Sequence, residues 1–219
     1  MSEFNFNLGS SDLESTQLAP FLNQPYLGGL KLVEVNVEDV EGRDGGATYE
    51  IVDFVFEMQD APVAGFQHRH RIFNFKAFDQ SDLTPEEQAA KWASRLAYLM
   101  KYFIGEENSI KVINASSSWS ELRTNIDKAF TQLKDSWADK VVQGKIVGYI
   151  NGNGKAILDF PRYIGFMADA ESKTPLSFGK KEREANQAYA AAQNASDNAT
   201  SGDALAGAAA AESAGSLNF

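Results

Sequence analysis

Residues 29–58 read GLKLVEVNVEDVEGRDGGATYEIVDFVFEM and predict two β-strands joined by a turn. In the first half, Leu32, Val33, Val35 and Val37 come close to alternating with Glu34, Asn36 and Glu38. That is the period of a strand with one buried face. EGRDGG (41–46) is rich in residues that tolerate positive φ and predicts a hairpin connection. In the second half, Val52, Phe54 and Phe56 fall on one face and Tyr49, Ile51 and Val55 on the other. A strand apolar on both faces suits a curved barrel. The predicted strands run Gly29–Val40 and Ala47–Met58.

A third strand is expected over Phe66–Phe78, FQHRHRIFNFKAF. Alternation puts His68, His70 and Ile72 on one face and Arg69, Arg71, Phe73 and Phe75 on the other. Two helices follow. Thr84 as N-cap, Pro85 at the first helical position and Glu87 completing a capping box start one over 85–104. Trp92, Leu96, Leu99 and Phe103 form its apolar stripe. Ser118 and Glu121 start another over 119–136, lined by Leu122, Ile126, Ala129, Leu133 and Trp137. The IKVIN stretch between them (110–114) reads equally as a strand or a connector. A closing hairpin is expected at Val141–Ile150 and Lys155–Phe160, turning at NGNG. Gly144 and Gly148 within its first strand suggest bulges or bends.

The resulting order, β-β-β-α-α-β-β, predicts a mainly β (α+β) domain: an OB-fold-like five-stranded barrel over residues 25–178 with a helical insert at 84–137. Residues 1–24 are polar with scattered Phe4, Phe6 and Leu8, and predict a flexible arm. Residues 179–219 are Ala-, Ser- and Asn-rich and predict a flexible tail; within it, KKEREANQAYAAAQ suits a short helix.

The net charge of −10 argues against a general polyanion binder. All 20 basic residues nevertheless lie between Lys31 and Arg183, so a nucleic-acid site would have to be a local basic strip. The absence of cysteine excludes disulfides, thiolate chemistry and Cys-based zinc sites. No apolar run approaches the ~20 residues that span a bilayer, and the N-terminus lacks a signal-peptide pattern, so a cytoplasmic location without membrane contact is expected.

The third strand carries the strongest candidate chemistry. Arg69, Arg71 and Lys76 supply cations for phosphates, and Phe73 and Phe75 supply rings on which bases stack. The alternative is that the two Phe are core and the arginines cap the rim. Tyr149, Arg162 and Tyr163, on or just after the closing hairpin, fit a second wall of such a groove, with Lys145 and Lys155 assisting electrostatically. His68 and His70 point the same way, but no third ligand stands at a telling spacing, so no metal is assigned. NGNGK lacks the spacing and following helix of a phosphate loop, and no catalytic motif is present. The chain is therefore expected to be non-enzymatic and to need no cofactor. The aromatic stripe of the first helix, Trp119 and Trp137 read as core.

GLKLVEVNVEDVEGRDGGATYEIVDFVFE, the helical insert and GKIVGYINGNGKAILDFPRYIGFM together resemble the bacteriophage single-stranded DNA-binding proteins built on an OB fold. The resemblance covers roughly residues 25–168 and is one of order and texture. It implies non-catalytic coating of single-stranded DNA in replication or recombination within the bacterial host cytoplasm. Arg69, Arg71, Phe73 and Phe75 match the groove strand, and Tyr149, Arg162 and Tyr163 the closing wall. It also implies recruitment of replication or recombination proteins through a C-terminal anchor, here Leu217 and Phe219. A homo-oligomer is compatible with this reading. The rival is a phage virion or assembly protein using the barrel as scaffold.

Overall fold

The computed structural model describes residues 19–41, 48–76 and 81–195. Most of the expected arm, the first hairpin loop and the C-terminal anchor Leu217 and Phe219 lie outside them. The first two strands, β1 (Tyr26–Glu41) and β2 (Thr48–Met58), pair antiparallel over nearly their whole length. The imperfect alternation of β1 has a structural cause. The register steps between Leu32 and Glu34, leaving Val33 as the extra residue of a bulge. Before it, Leu30 and Leu32 oppose Met58 and Phe56; after it, Val35 and Val37 oppose Phe54 and Val52. All of these join one apolar core. The bulge moves the inward face from even to odd residues, so the strand stays amphipathic.

β3 (Gln67–Phe73) pairs with β2, with Asp53 opposite Arg71 and Ile51 opposite Phe73. It ends five residues earlier than the expected Phe66–Phe78. The helical layer begins with α1 (Pro85–Ile104), whose capping box forms as the sequence predicts, with the Thr84 hydroxyl and Glu87 carboxylate satisfying each other's backbone N–H. Gly105, at φ +83°, ends α1 and opens α2 (Glu106–Asn114). The IKVIN stretch is therefore helical. Its β-branched residues are overridden by helix contacts: Val112 is buried, Ile113 packs on the core, and Glu107 and Lys111 pair at 2.7 Å, one turn apart. α3 (Trp119–Gln132) and the single turn α4 (Lys134–Trp137) complete the layer.

β4 (Val141–Ile150) returns alongside β1, pairing Tyr26–Lys31 with Val141–Ile146. It also pairs with β5 (Ala156–Asp159) and with the short β6 (Met167–Asp169). Gly144 and Gly148 are close-approach positions. A Cβ at Gly144 would stand 2.2 Å from Leu30 Cδ1, and one at Gly148 2.4 Å from Tyr189 Cγ. The core fills the space between this sheet and the helices. Phe54, Phe56 and Met58 meet Leu99, Phe103, Ile126 and Phe130, with Phe54 and Phe130 edge-on at 5.6 Å.

The described residues thus form an α+β fold with a six-stranded antiparallel sheet ordered β3-β2-β1-β4-β5, with β6 on β4. The sheet is open, whereas the sequence predicts a closed barrel. Among the described residues, β3 and β5 share no strand pairing and their facing edges meet only through side chains. His70 Nδ1 lies 2.5 Å and His68 Nε2 3.7 Å from Asp159 Oδ1, and both imidazoles pack edge-on against Phe160.

Residues 180–195, within the stretch predicted as a flexible tail, form a helix, α5, where KKEREANQAYAAAQ suits one, and it packs against β4. Its anchors are polar. Asn186 accepts a hydrogen bond from Gly148 N (2.8 Å), Tyr189 donates to Asn23 O (3.0 Å), and buried Glu182 pairs with buried Lys145 (3.0 Å). No helix among the described residues is long and apolar enough to cross a membrane.

Candidate nucleic-acid interface

The β3 face predicted to carry cations and rings does turn outward. Arg69 and Phe73 are exposed, Arg71 and Phe75 partly so. Their electrostatic states differ. Arg71 donates through Nε (2.9 Å) and Nη2 (2.7 Å) to the two oxygens of Asp53, a fully buried carboxylate directly opposite it. That hydrogen bond is the main cause holding the Arg71 guanidinium above its ordinary pKa. Much of its charge is therefore already spent. Arg69 stands further from Asp53 (3.7 Å) and lies over the exposed Phe21 ring at 5.5 Å. It keeps more charge for solvent.

Phe73 and Phe75 lead into a cleft of about 950 Å³ between the start of β2, the segment after β3, and α1. Four cations line it: Lys76, Lys91, Arg95 and Arg162. Among the described residues one carboxylate, Glu50, opposes them, and it is itself 3.6 Å from Arg123. Four rings also line the cleft: Tyr49, Phe73, Phe75 and Trp92. Tyr49 and Phe73 meet edge-on at 6.2 Å, and Phe75 lies 6.0 Å from Trp92. Among the described residues, Lys76, Lys91 and Arg162 form no ion pair within 4.0 Å. A surface where unpaired cations alternate with rings is suited to a phosphate backbone and unpaired bases at once.

Arg95 is fixed by backbone acceptors, Phe160 O at 3.2 Å and Pro161 O at 3.0 Å from Nη2. Burial lowers its pKa, opposed by the nearby Asp159 carboxylate. A guanidinium remains charged under such a shift. Beneath the cleft, sharing Phe73, Trp92 and Arg95 with it, lies a smaller chamber of about 170 Å³.

The remaining predicted residues divide. Arg162 joins the cleft and lies 5.9 Å from the Tyr149 ring, so Tyr149, half-buried, stands behind the wall rather than on it. Lys155 lines a separate depression of about 340 Å³ with Phe21 and Arg69, at the other end of the β3/β5 seam. Lys145 and Tyr163 are not brought to the cleft. Lys145 is 6% exposed, and its ammonium contacts Glu182, Ser177 O and the Tyr163 hydroxyl. Burial lowers its pKa, but the bonds to Glu182 and Tyr163 outweigh this and raise it. Tyr163 also donates to Glu182. These three side chains hold α5 in place.

Lys91, Trp92 and Arg95, which line the cleft from α1, were missed in the sequence because Trp92 fits the helix's core stripe. The available signal was a pair of cations one helical turn apart, Lys91 and Arg95, flanking an aromatic residue. Among the described residues, no cluster of three or more His, Asp or Glu side chains is disposed to hold a metal ion. Compared with family models, with curated proteins and with solved structures, the chain gives no match in any of the three.

Proposed function

We propose that this protein binds single-stranded DNA without catalysis, along the cleft between β3 and α1 and onto the outer face of β3. The observation that carries this reading is the composition of the cleft. In a chain of net charge −10, it gathers, among the described residues, four cations and four rings around one carboxylate. Cations in that number supply the salt-dependent part of the affinity, and the rings accept unpaired bases of any identity. Duplex DNA keeps its bases stacked inside and cannot use the rings.

The fold supports the same reading. Three antiparallel strands, a helical connection and a closing hairpin are the chain order of an OB-type barrel, here opened at the β3/β5 seam. In the phage-type role that the sequence texture suggests, the protein covers single strands exposed during replication or recombination.

The test is fluorescence anisotropy of the full chain with labelled oligo-dT and with duplex of equal length across a salt series. Binding to oligo-dT that weakens linearly in log Kd against log salt, with much weaker duplex binding, is expected. No binding to oligo-dT at low salt overturns the proposal.

A further inference from the structure

The small chamber under the cleft has the dimensions and chemistry of a base pocket. Its volume of about 170 Å³ is several times the ~30 Å³ share of one water, the scale of a single nucleobase. Three rings wall it: Phe73, Trp92 and Phe166. Four polar side chains line it as well: Arg71, His70, Arg95 and Asp159. Arg71 is already held by Asp53 and His70 by Asp159, which leaves Arg95 and Asp159, each anchored. Arg95 spends Nε and Nη2 on Phe160 O and Pro161 O, and Nη1 has no hydrogen-bond partner among the described residues. Asp159 spends Oδ1 on His70 and on Phe160 N (2.8 Å), and Oδ2 has none. A rigid donor and a rigid acceptor therefore remain in a ring-lined space that communicates with the proposed strand path.

Resting on the single-strand reading above, we propose that the chamber takes one base of the bound strand and prefers guanine. Guanine presents two acceptors, O6 and N7, the groups that arginine reads most often, and an amino donor, N2–H₂, for a carboxylate. Thymine offers a carbonyl acceptor but no amino group, and cytosine's amino group has no N7 beside it. A purine also covers more of Phe73 and Trp92, the two rings that Phe166 backs. The protein would then coat any sequence through the cleft while settling in register at a guanine.

The experiment uses the full chain and a short oligo-dT, compared with the same oligonucleotide carrying one central dG, dA or dC. A single dG is expected to tighten binding by about tenfold, the discrimination of one good polar pairing. Deoxyinosine, which lacks the amino group, and 7-deazaguanine, which lacks N7, should each lose most of that gain. These two arms need no protein variant. Asp159→Asn should bring the dG to dT affinity ratio close to one. Oligo-dT binding with no preference for dG overturns the base pocket and leaves the single-strand reading standing. Failure to bind any of the oligonucleotides overturns both.

Discussion

His70 on β3 and Asp159 at the end of β5 meet at 2.5 Å, joining two sheet edges that share no backbone pairing. Burial alone would raise the Asp159 carboxyl, but the charge and hydrogen bond of His70, with His68 3.7 Å away, outweigh it and hold the group well below the carboxylate range. Burial pushes the His68 imidazole down, and its Nε2 has no hydrogen-bond partner among the described residues.

Both shifts act in one direction on stability. The unfolded chain takes up a proton at His68 below about pH 6.5 and at Asp159 below about pH 3.9, where the native state resists. Stability should be complete at neutral pH and fall as pH drops through these values. Asp159→Asn should cost about 1–3 kcal/mol at pH 7 and flatten the acid limb of a Tm-against-pH curve. An unchanged acid limb in the variant would count against this role for the clasp.

Arg71→Ala should behave as a stability variant. It removes both hydrogen bonds to the buried Asp53 carboxylate and leaves Arg69 at 3.7 Å, a loss expected to cost about 1–3 kcal/mol. Arg69→Ala, whose charge is largely solvent-facing, should leave the Tm nearly unchanged and weaken oligo-dT binding. Urea unfolding beside anisotropy separates the two. Asp53→Asn in the Arg71→Ala background should recover part of the lost stability.

Trp92 is the partly exposed tryptophan of the cleft, whereas Trp119 and Trp137 are buried, with their indole N–H groups donating to Glu50 O and Phe130 O. Intrinsic fluorescence should therefore report binding, contrary to the sequence-based expectation that all three are core. Oligo-dT should quench emission, and Trp92→Phe should remove most of the response. Lys91→Ala should lower the salt slope by about one.

Gly148→Ala should loosen α5. The added methyl meets Tyr189 at 2.4–2.6 Å, an overpacking that costs about 1–3 kcal/mol. Hydrogen exchange should rise across 180–195. Lys145→Met should do the same by stranding Glu182, and pairing it with Glu182→Leu should restore protection.

Local patterns were the legible part of the sequence. The capping residues of α1, the two-residue period of β2 and the Asn-Gly turn before β5 each depend on neighbours a few positions away. Relationships across the chain were not. Asp53 sits in an apolar strand and becomes Arg71's partner only once register pairs them. The two histidines share one face as alternation requires, but nothing local turns that face inward or reveals Asp159, 89 residues beyond His70. Lys145 looked like a groove cation because nothing local to it reveals Glu182, 37 residues later. The near side of the cleft, β3 to Lys76, was legible. The far side was not, because Trp92 serves core and surface at once.

The open seam has a consequence for self-association. Gln67 on the β3 edge is covered by the segment Pro20–Leu22. Beyond it, Arg69, Arg71 and Phe73 share Gln67's outward orientation in the ladder with β2. An edge of this kind is a template for strand addition unless it is covered or charged. Here the same edge is met from β5 by the His70–Asp159 contact and carries Arg69 and Arg71. A second copy's strand could add only by displacing that contact and setting like charge against like, so the sheet can stay unclosed without offering a docking rim.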